Sequence, residues 1–154
     1  VRAENISRAR IDGEELSVRV DAPGGLGVTG GFTRMSTRDA GPVPFWNGRR
    51  LPLRPAAQGS VRLDWRHGAF RAVADLQHIG DDYLDRANLQ RVADRLLAGA
   101  SLSFTPNAGG LRLPVEGKNL GDDRVSDVGG FPLPGRALFA SCDVRLGAAE
   151  RHPK

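Results

Sequence analysis

Apolar and polar residues alternate with a period of two along most of the chain, which predicts β-strands with one apolar and one polar face. The clearest case is Ser60 to Arg66, where Val61, Leu63 and Trp65 alternate with charged residues. We predict seven such strands, at about 7–21, 25–37, 60–66, 70–77, 96–105, 111–116 and 138–146. The predicted fold is therefore all-β and antiparallel, although alternation also occurs in soluble β-sandwiches.

The predicted connections alternate between short and long. The turns at 22–24, 67–68 and 106–109 are short, whereas the connections at about 38–58, 80–95 and 120–135 are long. Long loops at one end of a sheet and tight turns at the other are typical of outer-membrane barrels, whose short turns face the periplasm. Apolar residues in 82–97 recur at helical spacing, but we favour a loop there with no more than a short helical turn.

The placement of aromatic and charged residues agrees with a membrane barrel. Trp65, Phe70 and Phe104 lie on apolar faces beside the short turns, where an interfacial aromatic girdle is expected. Arg10, Asp12 and Glu14 share the face of Leu16 near the long-loop end. We therefore expect the first strand to project beyond the hydrocarbon layer.

The apolar faces predict which side chains contact lipid. The predicted membrane-facing positions are Val61, Leu63, Trp65, Phe70, Leu76, Leu102, Phe104, Leu111, Leu113, Leu138, Val144 and Leu146. The polar faces would line a barrel that is wide enough to be wet or plugged. Seven strands leave two open edges, which lipid does not tolerate, so we predict the C-terminal part of a larger transmembrane β-barrel. A small eight-stranded barrel with one missed strand and a soluble β domain are the alternatives.

Composition narrows the class further. The 154 residues contain 40% hydrophobic residues, 20 Gly and 10 Pro, which suits short strands joined by turns. No apolar run reaches the roughly 18 residues of a membrane helix. The net charge of +4 comes from Arg side chains that are distributed along the polar faces, which disfavours nucleic-acid binding. The chain begins without Met or a signal core, so an exported protein would have its N-terminus upstream of Val1.

Motifs for catalysis, nucleotides or metals are weak. Gly25 to Gly30 matches G-x-G-x-x-G, but the residues that follow alternate and do not predict the required helix. The Asp residues at 81–85 and 122–127 do not have EF-hand spacing, and His67, His78 and His152 are scattered. Cys142 is the single cysteine, and no Ser or Cys lies in a nucleophile motif. We therefore predict no enzyme activity, no metal site and no cofactor.

The best ligand candidates lie in two long loops. They are Phe45, Trp46, Arg49 and Arg50 in the first and Tyr83 and Arg86 in the second. Aromatic and Arg side chains suit an anionic or aromatic metal chelate through stacking and charge. The alternative interpretation is an ordinary exposed loop, or Arg bound to lipopolysaccharide phosphate.

The end of the chain carries a more specific pattern. A strand from Val115 ends in Asn119-Leu120-Gly121-Asp122, and a loop leads through Pro134-Gly135-Arg136 to a last strand ending at Leu146. This arrangement resembles the C-terminus of a TonB-dependent outer-membrane receptor. Weaker matches are the strand start at 5–14, the Leu-Pro-x-x-Pro segment at 51–55 and the loop start at 80–85. The family usually closes on an aromatic residue, whereas Leu146 stands here.

The resemblance implies that residues 1–146 form the C-terminal part of a 22-stranded receptor barrel in the outer membrane of a Gram-negative bacterium. Residues 147–154 would be a polar tail. Such receptors take up siderophore-bound iron or similar scarce solutes. The implied partners are the TonB energy-transducing complex, reached through a plug absent from this chain, the barrel-assembly machinery, outer-membrane lipid and lipopolysaccharide. A non-transporting β domain is the alternative from another class.

Overall fold

The computed structural model describes residues 8–106, 110–128 and 131–145, with only the backbone described at 127 and 128. Ordered along the chain, the strands are β1 Ala9–Ala22, β2 Leu26–Asp39, β3 Ala57–His67, β4 Phe70–Ile79, β5 Asp82–Tyr83, β6 Arg91–Val92, β7 Arg95–Phe104, β8 Leu111–Lys118, β9 Ser126–Val128, β10 Phe131–Pro132, β11 Ala137–Ala140 and β12 Asp143–Val144. Within these ranges, no helix is long and apolar enough to cross a membrane.

The main sheet has the strand order β1-β2-β3-β4-β7-β8-β11, and β12 also pairs with β8. Each pair is antiparallel, and each strand lies beside the next long strand of the chain. The predicted all-β antiparallel fold is confirmed, and the seven predicted strands correspond to these positions with shifted ends. Such a meander is the strand order expected for the wall of an up-and-down barrel.

The last predicted strand is interrupted between β11 and β12. Both parts keep one register against β8, with Ala140 opposite Val115 and Asp143 opposite Arg112. Ser141 lies between them and donates its N–H to the carbonyl of Pro114 at 3.1 Å. Proline has no N–H to return, so the reciprocal bond of this pair is missing. The interruption therefore results from a single proline in the neighbouring strand.

The segment 82–97 contains no helix, and its last residues belong to the predicted fifth strand, which begins one residue earlier than expected. Asp82–Tyr83 pairs with Arg91–Val92, and β7 already starts at Arg95. The apolar residues Leu96 and Leu97 belong to this strand, because they continue its ladder opposite His78 and Gln77 of β4. Pairing with a long neighbouring strand thus prevails over the local helical spacing.

The register places eleven of the predicted membrane-facing side chains on one face of the sheet, and Leu146 lies outside the described residues. One row across neighbouring strands consists of Val28, Leu63, Ala74, Ala100, Gly117 and Leu138. We call this the apolar face and its opposite the polar face.

A second layer does not cover the apolar face within the described part of the chain. The buried apolar side chains there are Leu51, Val73 and Val92, whereas Leu16 is 63% exposed and Val115 is 54% exposed. Soluble sheets bury one face against another element, so these exposed rows indicate a surface made for an apolar surrounding.

Candidate functional site

The first long loop, residues 40–56 (loop A), folds over the polar face at the end of β2. Thr37 and Asp39 point to this face and are buried beneath the loop. The N–H of Leu51 donates to the Thr37 hydroxyl at 3.1 Å, and the N–H of Gly41 donates to the Asp39 carboxylate at 2.8 Å. The N–H of Asp39 also donates to the Arg49 carbonyl at 2.8 Å, and the N–H of Gly48 donates to the Asp39 carbonyl at 2.8 Å. Loop A therefore leans inward over the polar face.

A buried ion pair joins loop A to the second long loop, residues 80–94 (loop B). Nε of Arg86 donates to Oδ2 of Asp39 at 2.6 Å, and the two side chains are 10% and 1% exposed. The same guanidinium lies 4.0 Å from the ring centroid of Trp46, which is a cation–π contact. The hydrogen bond from Arg86 outweighs the effect of burial and lowers the pKa of Asp39.

Arg50 makes a second connection between the loops. Its Nη1 lies 3.0 Å from Oδ2 of Asp81, and Nη2 donates to the Asp81 carbonyl at 2.6 Å. The side chain of Asn88 accepts from the Arg50 N–H at 2.8 Å and donates to the Arg50 carbonyl at 2.9 Å. The Arg50 guanidinium also lies 5.1 Å from the Tyr83 ring centroid. Loops A and B thus form a single packed unit, here called the loop unit.

The acidic residue Asp81 lies within this unit and holds two Arg side chains. Burial acts to raise the pKa of Asp81, but hydrogen bonds from Arg91 and Arg50 together outweigh burial and lower it. Asp85 accepts the backbone N–H groups of Ala87, Leu89 and Gln90 and so fixes the turn. Asp81 and Asp85 therefore both have structural partners within the loop unit.

The six predicted ligand residues fall into two groups. Trp46, Arg50, Tyr83 and Arg86 are partly buried and make the contacts that hold the loop unit together. Phe45, which is 60% exposed, and Arg49 lie on its surface. The chemistry that suits a ligand, Arg beside an aromatic ring, serves here in packing between loops. Direct ligand contact by these six residues stays a prediction.

The structure adds apolar side chains that the sequence reasoning did not select. Leu53 is 54% exposed and Leu89 is 78% exposed, and both belong to the loop unit. Leu53 has a positive φ of 55°, which a bulky residue rarely adopts. No local sequence pattern distinguishes these leucines from buried ones. Together with Phe45 they give the loop unit an apolar exposed surface.

Charged side chains lie on the polar face near the short turns. Asp64 accepts hydrogen bonds from Arg71 and from Arg66, the latter at 3.2 Å. On β1, Nε of Arg19 lies 3.1 Å from Asp21. These contacts agree with a polar face that borders water or another polar surface, because unpaired charges in a dry core are costly.

The glycine motif at 25–30 has a structural role. Gly24 and Gly25 form the β1–β2 turn with φ values of 80° and 79°, and the residues from Leu26 onward form a strand. A Cβ at Gly25 would overlap the carbonyl oxygen of Arg66. The residues after the motif form a strand and not a phosphate-binding helix, which agrees with the alternation seen in the sequence.

Grouped metal ligands do not occur among the described residues. No three His, Cys, Asp or Glu side chains in these ranges are arranged to hold a metal ion. His67 stacks on Trp65 with ring centroids 5.8 Å apart. Asp122 accepts from the N–H of Arg136 at 2.8 Å and from the Arg124 guanidinium, and these bonds lower its pKa. The predicted turn role of this carboxylate agrees with these contacts.

No protein-family model and no curated protein matches the chain. Several solved structures do. The siderophore receptor PiuA from Acinetobacter baumannii matches with a TM-score of 0.77 and 16% identity, over 88% of this chain and 22% of PiuA. The ferric yersiniabactin uptake receptor FyuA from Yersinia pestis matches with a TM-score of 0.79 and 18% identity, over 88% and 23%. The ferric citrate transporter FecA matches with a TM-score of 0.78 and 18% identity, over 88% and 24%.

These similarities concern the fold, because the identities are low. The chain spans less than a quarter of the length of each of the three proteins. All three are described as receptors or transporters, and a copper transporter, OprC, also matches with a TM-score of 0.67. The chain therefore has the fold of part of the β-barrel of TonB-dependent receptors, in agreement with the resemblance of its C-terminal motif.

Proposed function

We propose that the chain forms the C-terminal wall of a TonB-dependent outer-membrane receptor and takes part in active uptake of a scarce solute. The observation that carries this proposal is the exposed apolar face, which runs unbroken across seven neighbouring strand positions with a charged face behind it. In a closed barrel, lipid would cover the apolar face and the polar face would line the lumen. Residues 1–146 would belong to the barrel and 147–154 to a periplasmic tail.

The strand lengths support a spanning role. From Leu96 to Phe104 on β7, the apolar face extends over about 27 Å of strand at about 3.4 Å per residue. At a tilt of about 40°, this gives a vertical height of about 21 Å, close to the roughly 25 Å apolar band of outer-membrane barrels. The long loops would then face outside and the short turns the periplasm. The loop unit would lie at the outer mouth of the lumen, since loop A covers the polar face.

The transported solute would be siderophore-bound iron or a similar chelate. This choice rests on the relatives, which include ferric siderophore and ferric citrate proteins, and on the Arg and aromatic side chains of the loop unit. We expect Phe45 and Arg49 to contact the solute, and Trp46, Arg50, Tyr83 and Arg86 to hold the surface that presents them. Energy would come from the TonB complex through a plug absent from this chain, and barrel-assembly machinery would insert the protein. The role is transport and not catalysis.

The test uses the full-length receptor in a strain that lacks its own copy. We expect the protein in the outer-membrane fraction, with a mobility on denaturing gels that changes on heating, as for folded barrels. Iron-dependent growth on a panel of ferric chelates should require it, and Phe45→Ala with Arg49→Ala should lower chelate binding at least 5-fold. Arg54→Ala, an exposed change in the same loop, is the control. A soluble, cooperatively melting protein would contradict the proposal.

A further inference from the structure

The polar face contains a cavity of about 510 Å³ near the short turns, between β1, β2, β3 and β4. Its charged members, which define the basic cavity, are Arg19, Arg62, Arg66, Arg71, Asp21 and Asp64. Four guanidinium groups thus face two carboxylates, which leaves an excess of two positive charges. The volume is within the range of about 300–1,000 Å³ that is typical of small-molecule sites. The basic cavity therefore has both the room and the charge for a small anion.

Both carboxylates of the basic cavity already hold Arg side chains. Asp21 accepts from Nε of Arg19 at 3.1 Å. Asp64 accepts from Arg66 at 3.2 Å and also from Arg71. Arg66 and Arg71 lie directly opposite each other on β3 and β4, where like charges repel. A single carboxylate between these two guanidinium groups leaves one positive charge unbalanced.

Arg62 supplies the second unbalanced charge. Asp75 of β4 lies directly opposite Arg62, yet within the described part of the chain the Arg62 guanidinium has no ion pair and no hydrogen bond. The Asp75 carboxylate lies instead over Gly99 of β7, where an added Cβ would be 2.6 Å from Oδ2 of Asp75. On its other side, Arg62 is opposite Thr29, which carries no charge. The exposed Arg62 side chain is therefore available to a ligand.

The middle strand of the basic cavity leaves space for such a ligand. Gly27 of β2 lies between Asp21 and Asp64 in the register, and an added Cβ there would be 3.1 Å from Oδ1 of Asp21. In the next row, Arg19 and Arg62 lie on either side of β2, about 10 Å apart at two strand spacings of about 4.8 Å. A ligand that lies against β2 can therefore reach guanidinium groups on two different strands.

The basic cavity is well separated from the loop unit. Arg62 follows Ala57, the first residue of β3, by about 17 Å of strand at about 3.4 Å per residue. In the proposed orientation, the basic cavity lies in the periplasmic half of the lumen. A wall with one sign of charge raises the local concentration of oppositely charged solutes. An anionic solute that has left the loop unit would thus meet this excess of positive charge before it leaves the barrel.

We infer that the basic cavity is a second solute site, which binds the carboxylate or phosphate groups of a polyanionic solute on its way to the periplasm. This inference rests on the proposed function and extends it, because the six predicted ligand residues all lie in the loop unit. One guanidinium donates two parallel hydrogen bonds to a carboxylate or a phosphate, which favours Arg at such a site. A solute with two or more anionic groups can contact Arg19 and Arg62 together.

The binding experiment uses the purified full-length receptor in detergent, with citrate and pyrophosphate as calorimetric probes. Every protein in it carries Arg49→Ala, so that this Arg of the loop unit adds nothing to the measured binding. We expect Arg62→Gln to weaken the tighter-binding probe at least 5-fold, and that probe identifies the preferred anionic group. Arg34→Gln is the matched control and should stay within 2-fold. Arg34 also forms no ion pair among the described residues but lies on the other side of the sheet.

Uptake into cells separates this site from the loop unit. With a ferric chelate that the receptor transports, Arg62→Gln should lower the maximal rate at least 3-fold and leave the half-saturating concentration within 2-fold, because it acts after capture. Phe45→Ala with Arg49→Ala should instead raise the half-saturating concentration. An unchanged maximal rate in Arg62→Gln would overturn the place of the basic cavity on the path of the solute.

Controls of folding keep the possible failures apart. Heat-dependent gel mobility shows whether each variant is a folded barrel. If Arg62→Gln is not folded, Arg66→Gln replaces it with the same expected loss, because Asp64 then keeps Arg71. Equal probe affinity in folded Arg62→Gln and Arg34→Gln receptors would overturn the inference and leave the receptor function intact. An acidic side chain of the plug in the basic cavity would give that result together with faster protease cleavage of the plug in Arg62→Gln. Absence from the outer membrane would overturn the proposed function instead.

Discussion

Arg86 and Asp39 lie 47 residues apart in the sequence and form a buried ion pair at 2.6 Å that joins two long loops. Asp39 is the last residue of β2, and Arg86 is in the middle of loop B. Because the guanidinium also covers Trp46, the pair joins charge and aromatic packing in a single contact. The loop unit owes its shape to this contact and to the Arg50–Asp81 pair.

Arg86→Gln should loosen the loop unit. Removing one member of a buried pair leaves the other charge without its partner, which costs roughly 3 kcal/mol. In the full-length receptor, we expect faster cleavage of loops A and B by an added protease, with no loss of the barrel. Arg91→Gln is the control, because Arg91 also pairs with an Asp but is 62% exposed. Equal cleavage rates for the two variants would show that the buried pair does not hold the loops.

Acid should open the same contact. Asp39 lies beyond the apolar band, and the hydrogen bond from Arg86 lowers its pKa. The ionised carboxylate of Asp39 therefore stabilises the folded loop unit. The contribution is complete above the unfolded pKa of about 3.9 and is lost as the pH falls through the lower folded value. We expect the fluorescence of Trp46 to change in that range, measured as the difference between the original receptor and Trp46→Phe. In the Asp39→Asn variant, the fluorescence of Trp46 should not change with pH in this range. A midpoint above pH 5 would contradict the assignment to Asp39.

The two faces of the sheet should respond differently to charge. Leu63 lies on the apolar face of β3, and Gln77 lies on the polar face of β4. If the apolar face contacts lipid at mid-membrane, Leu63→Arg should lower the free energy of unfolding by about 2–4 kcal/mol. Gln77→Arg should change it little. Urea unfolding of the full-length receptor in lipid vesicles measures both, and similar losses would refute the assignment of faces.

Local patterns in the sequence were sufficient for the strands and their faces. Period-two alternation is a direct consequence of strand geometry, so Val61, Leu63 and Trp65 indicated an apolar face before any partner was known. The interruption of the last strand was not predicted, because it depends on the pairing of Ser141 with Pro114 of the neighbouring strand, which lacks the N–H that its partner needs. The alternation, by contrast, depends only on residues close in sequence.

The contacts between the loops were beyond the reach of the sequence. The continuation of β2 to Asp39 depends on loop A, which folds back and buries Thr37. The role of Arg86 depends on Asp39, far away along the chain. Aromatic and Arg side chains suit a ligand and an internal contact equally well, so composition did not distinguish which side chains of the two loops face outward.

The turn between β1 and β2 offers a test that separates backbone strain from steric overlap. Gly24 and Gly25 both have positive φ, at 80° and 79°, so Ala at either position is strained by about 1–2 kcal/mol. A Cβ at Gly24 would meet nothing within 4 Å, whereas a Cβ at Gly25 would overlap the carbonyl oxygen of Arg66 in β3. That segment is also held by the N–H of Arg66, which donates to the Gly25 carbonyl at 2.9 Å. We therefore expect Gly25→Ala to destabilise the full-length receptor clearly more than Gly24→Ala, by urea unfolding in vesicles. Equal losses would mean that only the dihedral angle matters at this turn and that β3 can move away from it.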